Sequence, residues 1–154
     1  MEIPFQSDNY AQACRLRNEI LRQPLGLNLF EEDLTVEADY FHFGILEGDR
    51  VIACVLAIPV SAEKAKIRQM AVAADFQKQG LGKKLLLNME DRLKQRGFHL
   101  FELDARTTSV GFYQKLGYAL EGEEFQSVSI PHQRMRKSLS NERQDEIRSG
   151  SSTK

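Results

Sequence analysis

The residues of this chain best suited to chemistry begin with two glycines in a basic loop, Gln77-Lys78-Gln79-Gly80-Leu81-Gly82-Lys83-Lys84. The loop follows an apolar, strand-like run. After it, Leu81, Leu85, Met89 and Leu93 recur at the spacing of an amphipathic helix over residues 81–96. Glycine lets a backbone turn tightly and approach a ligand closely. The first turn of a helix offers unpaired N–H groups at the positive end of its dipole. Together these features favour a phosphate or pyrophosphate, and Lys78, Lys83 and Lys84 add positive charge. The loop is not a Walker A motif, because Lys84 stands where a magnesium-binding hydroxyl is required. It also lacks the third glycine of a dinucleotide fingerprint.

A second run, Phe112-Tyr113-Gln114-Lys115-Leu116-Gly117-Tyr118, follows after one more strand-like segment. The two runs, in this order and spacing, resemble the GNAT family of N-acetyltransferases. The acyl-CoA loop of that family reads Gln/Arg-x-x-Gly-x-Gly/Ala, matched here by Gln77, Gly80 and Gly82. Its last helix ends in Phe-Tyr-x-Lys-Leu-Gly-Phe/Tyr. Ile130-Pro131-His132 with Met135, the run from Arg22 to Leu27, and Arg15-Leu16-Arg17 resemble the ElaA/YjcF-like branch. The resemblance covers residues 3–139.

It implies an α/β (α+β) fold: a mixed, mostly antiparallel sheet flanked by helices, with central strands that splay apart to admit acetyl-CoA (CoA). The backbone of Met70, Ala71 and Val72 would pair with pantetheine. The loop from Gln77 through Lys78, Gln79, Gly80, Leu81 and Gly82 to Lys83 would hold the pyrophosphate. Arg106 stands where many relatives have asparagine, and a guanidinium there would meet a phosphate bidentately instead.

Acyl transfer to an amine also needs proton handling. In the family a tyrosine at the position of Tyr113 lies near the cofactor sulfur and protonates the leaving thiolate. A phenol is protonated at neutral pH and donates without tuning. Some relatives carry a basic glutamate on the strand before the loop, but this chain has Arg68 and Gln69 there. Glu102 and Asp104 on the next strand are the carboxylates that remain, and His132 is a further acid, base or substrate contact. The expected activity is transfer of acetyl to a primary amine, on a small molecule or a peptide, by direct attack in a ternary complex. The alternative is a non-catalytic acyl-CoA-binding module. The resemblance also admits a homodimer.

The elements that must position these groups are legible from periodicity and turn residues. The sequence predicts a short strand at residues 3–5, then a helix over 9–22 capped by Asp8 and stopped by Pro24 and Gly26. Strands follow at 40–46 and 50–59, with Gly48-Asp49 at their turn, and at 65–73. After the long helix come a strand at 98–104, a short helix at 107–116 closed by Gly117, and strands at 118–126 and 134–138 with Pro131 between them. The acidic run from Glu31 to Asp39 reads as a solvated surface. Residues 1–139 form a single expected domain, and the polar residues 140–154 an expected disordered tail.

Composition narrows the class further. The 154 residues carry a net charge of −1 with 42% hydrophobic content, ordinary for a globular domain and without a field that would attract nucleic acid. No long apolar run suggests a membrane partner or a leader, so a cytoplasmic protein is expected. Cys14 and Cys54 lack metal-ligand spacing and read as reduced, buried thiols. His42 and His99 alternate with apolar neighbours in strands, so no metal is expected.

Overall fold

A computed structural model describes residues 1–139 of the chain. Residues 140–154, expected as a tail, lie outside that range. Six strands form one sheet in the order β1-β2-β3-β4-β6-β5. They are β1 (Phe41–Glu47), β2 (Arg50–Pro59), β3 (Lys64–Val72), β4 (Leu100–Arg106), β5 (Ala119–Ser127) and β6 (Ile130–Ser138), with helices α1 (Asp8–Arg17), α2 (Leu81–Lys94) and α3 (Val110–Lys115). All neighbouring strands run antiparallel except β3 and β4. This is the mixed sheet that the sequence predicts.

The faces of the sheet bury different side chains. One face packs Ala53, Val55 and Ile67 against Leu85, Leu86, Met89 and Leu93 of α2. The other packs Ile52, Cys54 and Ala71 against Ala13, Cys14 and Leu16 of α1. Alternation along β2 supplies both faces from one strand, so β2 is buried almost throughout. No helix among the described residues is long and apolar enough to cross a membrane.

The feature that makes a site is the parting of β3 and β4. They pair only from Lys64–Leu100 to Ile67–Leu103. Beyond Ile67, β3 carries a bulge: the register with β2 shifts between Cys54 and Leu56, and Gln69 sits at φ 57°. An extra residue in one strand bends it and increases its twist. From Arg68 to Val72 the edge of β3 that faces β4 is therefore without a strand partner.

Three local expectations are corrected. Residues 3–5 do not form a strand: only a Glu2–Phe43 bridge and an Ile3 N–H to His42 carbonyl bond form. Pro4 has no N–H to continue the ladder, and Gln6 turns away at φ 62°. The cap of α1 is Ser7, which accepts from the Tyr10 N–H, and Asp8 is the first helical residue. The last strand begins at Ile130 and includes Pro131, because pairing with β4 starts only at His132 and no N–H is needed before it. Beyond Arg17 the first helix widens into a π turn, Asn18–Arg22, and tightens into a 3₁₀ turn, Gln23–Leu25, before Gly26 ends it at φ 72°.

Candidate active site

The gap between the parted strands is a cavity of about 530 Å³. This falls in the range of small-molecule sites, roughly 300–1,000 Å³. Met70, Arg106, Tyr113 and His132 of the expected site residues line it, as does Asp104. Glu102 stays outside the lining. It is buried, with Lys64 at 2.7 Å and Arg134 at 3.7 Å.

The glycine loop follows the end of β3, and none of its residues lines the cavity. Gly80 is the N-cap of α2 at φ 77°, and no side chain caps that helix. Its first N–H groups are left open to a ligand. Gln77 fastens the loop to the end of β3 by donating its side-chain N–H to the Val72 carbonyl at 3.0 Å. Lys78 also takes a positive φ, 66°. A Cβ on Gly82 would stand 3.5 Å from Met70 Cε and from Phe112 Cζ, so α2, β3 and α3 converge there. An open helix N-terminus beside an unpaired strand edge fits the pyrophosphate and pantetheine of a CoA thioester.

Tyr113 is held by rings: Phe112 at 5.0 Å and Tyr118 at 5.9 Å, both near perpendicular. Among the described residues nothing bonds its hydroxyl. Burial pushes its pKa up from the usual phenol value, so the proton stays on at neutral pH. His132 faces Phe125 at 5.9 Å. Its Nδ1 lies 2.7 Å from the Ile130 carbonyl. A carbonyl only accepts, so Nδ1 carries the hydrogen and the neutral ring keeps Nε2 as a lone-pair acceptor.

Asp104 is neutralised within the wall. Burial alone would raise its pKa, but Arg134 and Lys66 outweigh that and hold it below the usual carboxylate range. Lys66 stands at 3.0 Å and Arg134 at 2.9 Å. Such a carboxylate is a weak base. Cys14 and Cys54 are buried and free. Burial pushes the Cys54 thiol up to about 12, which leaves no thiolate for chemistry.

The opposite wall depends on residues that sequence reasoning did not single out for the site. Gln69, at the bulge, accepts with Oε1 from Arg17 Nε at 2.9 Å, Arg17 Nη2 at 2.7 Å and Arg22 Nη2 at 3.2 Å. Arg17 is buried and forks onto Glu37 at 2.8 and 2.7 Å. Tyr10 donates its hydroxyl to Glu37 at 2.7 Å, and His42 Nε2 reaches the Glu37 carbonyl at 2.9 Å. Burial would raise the Glu37 pKa, but Arg17 and Tyr10 hold it below the ordinary value. The one sequence signal was Arg17 itself, four residues after Ala13 on the apolar face of its helix. The acidic run joins this network at two points, through Glu37 on Arg17 and through Glu32, which pairs with Arg22 at 2.7 Å.

The turn from β5 to β6 completes the rim. Val128 and Ser129 take φ of 51° and 60°, and Val128 lines the cavity. Positive φ is costly for a β-branched residue, and such strain gathers at ligand sites.

Comparison with known proteins agrees with this geometry. The family model described as an acetyltransferase (GNAT) domain matches residues 17–139. Two Bacillus subtilis (strain 168) proteins are similar in sequence. The uncharacterized YyaT is 37% identical over 76 residues, 49% of this chain and 51% of its own length. The chain thus spans about half of that relative. A candidate acetyltransferase is 30% identical over 116 residues, 70% of this chain and 79% of the relative. The fold is also that of solved structures. An N-acetyltransferase candidate from Lactobacillus plantarum has TM-score 0.81 at 21% identity, over 91% of this chain and 97% of that one. Escherichia coli ElaA has TM-score 0.73 at 18% identity, over 90% and 98%. An Elizabethkingia anophelis GNAT acetyltransferase with acetyl-CoA bound has TM-score 0.67 at 16% identity, over 90% and 96%.

Proposed function

Because the chain belongs to the GNAT acetyltransferase family, we propose that it transfers the acetyl group of acetyl-CoA to a primary amine by direct attack within a ternary complex. Bound acetyl-CoA supplies a thioester carbonyl carbon open to an amine. The open first turn of α2, with the amides from Gln77 to Lys83, receives the pyrophosphate. The unpartnered edge of β3 at Met70, Ala71 and Val72 pairs with the pantetheine amides, and Arg106 adds a guanidinium toward the cofactor.

His132 takes the amine proton on Nε2, directly or through one water, which frees the lone pair for attack. The N–C bond forms and the C–S bond breaks. The Tyr113 hydroxyl gives its proton to the departing sulfur and regains one from the acylated nitrogen, which sheds its second proton to become the neutral amide, while the proton on His132 passes to water. Glu102, paired with Lys64 outside the lining, acts only through its charge. The observation that carries this reading is Tyr113: a protonated hydroxyl without a partner among the described residues, at the cavity wall.

The test is Tyr113→Phe. CoA release that depends on an added amine should fall about 100-fold or more, the usual range for losing a general acid. Acetyl-CoA should still raise the melting temperature as in the parent, because the ring packing remains. Unchanged turnover would remove Tyr113 from the mechanism. Stabilisation by acetyl-CoA with no amine-dependent release in the parent would favour a binding module instead.

A further inference from the structure

We propose that the acceptor amine also carries an anionic group, a carboxylate or a phosphate, which Arg68 receives; this rests on the acetyltransfer reading above. The charges of the cavity wall carry the inference. Four cations line it, Arg22, Lys66, Arg68 and Arg106, against one carboxylate, Asp104. Asp104 is already shared by Lys66 and Arg134. Arg22 is taken by Glu32 and Gln69. Arg106 is assigned to the cofactor. Arg68 remains, and among the described residues no hydrogen bond or ion pair engages its guanidinium. It is the first residue of β3 beyond the pairing with β4, where the strands part.

Its neighbour adds a second donor. Guanidinium groups only donate, so the three bonds from Arg17 and Arg22 fix the oxygen of Gln69 toward them. The end of the amide left for the cavity is the NH₂ group. Arg68 and Gln69 thus offer N–H donors where a basic carboxylate would otherwise stand. A guanidinium fork matches the two oxygens of a carboxylate or phosphate. A polycationic acceptor would meet like charge at the same place.

The test compares acceptors matched in size: β-alanine with propylamine, phosphoethanolamine with ethanolamine, and spermidine as a polycation. CoA release is followed at fixed acetyl-CoA. The anionic member of at least one pair should show kcat/KM roughly 10- to 100-fold higher than its uncharged match, the value of one charge-assisted contact. Which pair responds tells carboxylate from phosphate. In Arg68→Gln that preference should collapse, while acetyl-CoA still raises the melting temperature. Arg68→Lys should restore part of the preference, since charge is kept and the fork is lost. If propylamine, ethanolamine or spermidine is used best, or the preference survives in Arg68→Gln, the inference fails and acetyltransfer stands. If acetyl-CoA stabilises the protein and no amine releases CoA, the acetyltransfer reading fails and takes this inference with it.

Discussion

The two sides of the cavity are built from different kinds of contact. The side next to the glycine loop is local: the end of β3, the Gln77 clasp, Gly80 and the first turn of α2 lie within one short segment. The opposite side is assembled from afar. Gln69 meets Arg17 across 52 residues, and Arg17 meets Glu37 across 20. A local site needs only its own turn to fold. A distributed one needs several segments to arrive together, and it can be rebuilt by changing any of them. That division suits a family fold in which one cofactor serves many acceptors.

Glu37→Ala should break the distributed side with the largest effect. It leaves the Arg17 guanidinium buried without its carboxylate and Tyr10 without an acceptor. Removing one partner of a buried pair costs about 3–5 kcal/mol, to be read by urea unfolding. The same side should set the acid limit. The Glu37 pKa is lowered on folding, so its stabilisation is present above the unfolded value, about 4.3, and lost as pH falls through the folded value. Burial lowers the His42 pKa as well, so stability also declines from about pH 6.5 downward as the unfolded state takes the proton more readily. Parent stability should therefore fall from about pH 6.5 downward and fall further below about pH 4.3, and Glu37→Gln should flatten the part of that curve below about pH 4.3.

On the local side the two glycines should separate. Gly80→Ala forces a side chain into φ 77° and should cost about 1–2 kcal/mol, with a weaker melting shift from acetyl-CoA. Gly82 lies inside α2, and an added Cβ meets only ordinary contacts at 3.5 Å. Gly82→Ala should leave thermal stability equal or raise it by up to about 1 kcal/mol. Equal losses in both variants would show that close approach at residue 82 matters as much as backbone conformation at residue 80.

The same division explains what was legible in the sequence. The loop, α2, β2 and the Phe112–Tyr118 run announce themselves by period and motif, which a short window of sequence carries even though α2 and β2 pack on distant elements. Elements failed where one atom decided the outcome. Pro4 stops a strand that apolar content suggested, and Pro131 is admitted because β6 meets β4 only at the next residue. The Arg17–Glu37–Gln69 network left almost no trace. Each member looks like an ordinary polar residue until the bulge in β3 brings Gln69 over α1, and no window of sequence contains that meeting.

The smallest expected effect sharpens the comparison most, because it holds geometry constant. Arg50 forks onto Asp75 at 2.9 and 2.9 Å beside the glycine loop, much as Arg17 forks onto Glu37. The surroundings differ: the side chains of Arg50 and Asp75 are 54% and 59% exposed, those of Arg17 and Glu37 only 3% and 5%. In water the attraction is screened, and the freed charges are solvated when the pair is lost. Asp75→Asn should therefore leave the melting temperature unchanged within error at moderate salt. If it destabilises as Glu37→Ala does, bidentate geometry rather than burial holds these pairs, and the two sides of the cavity would differ in sequence span alone.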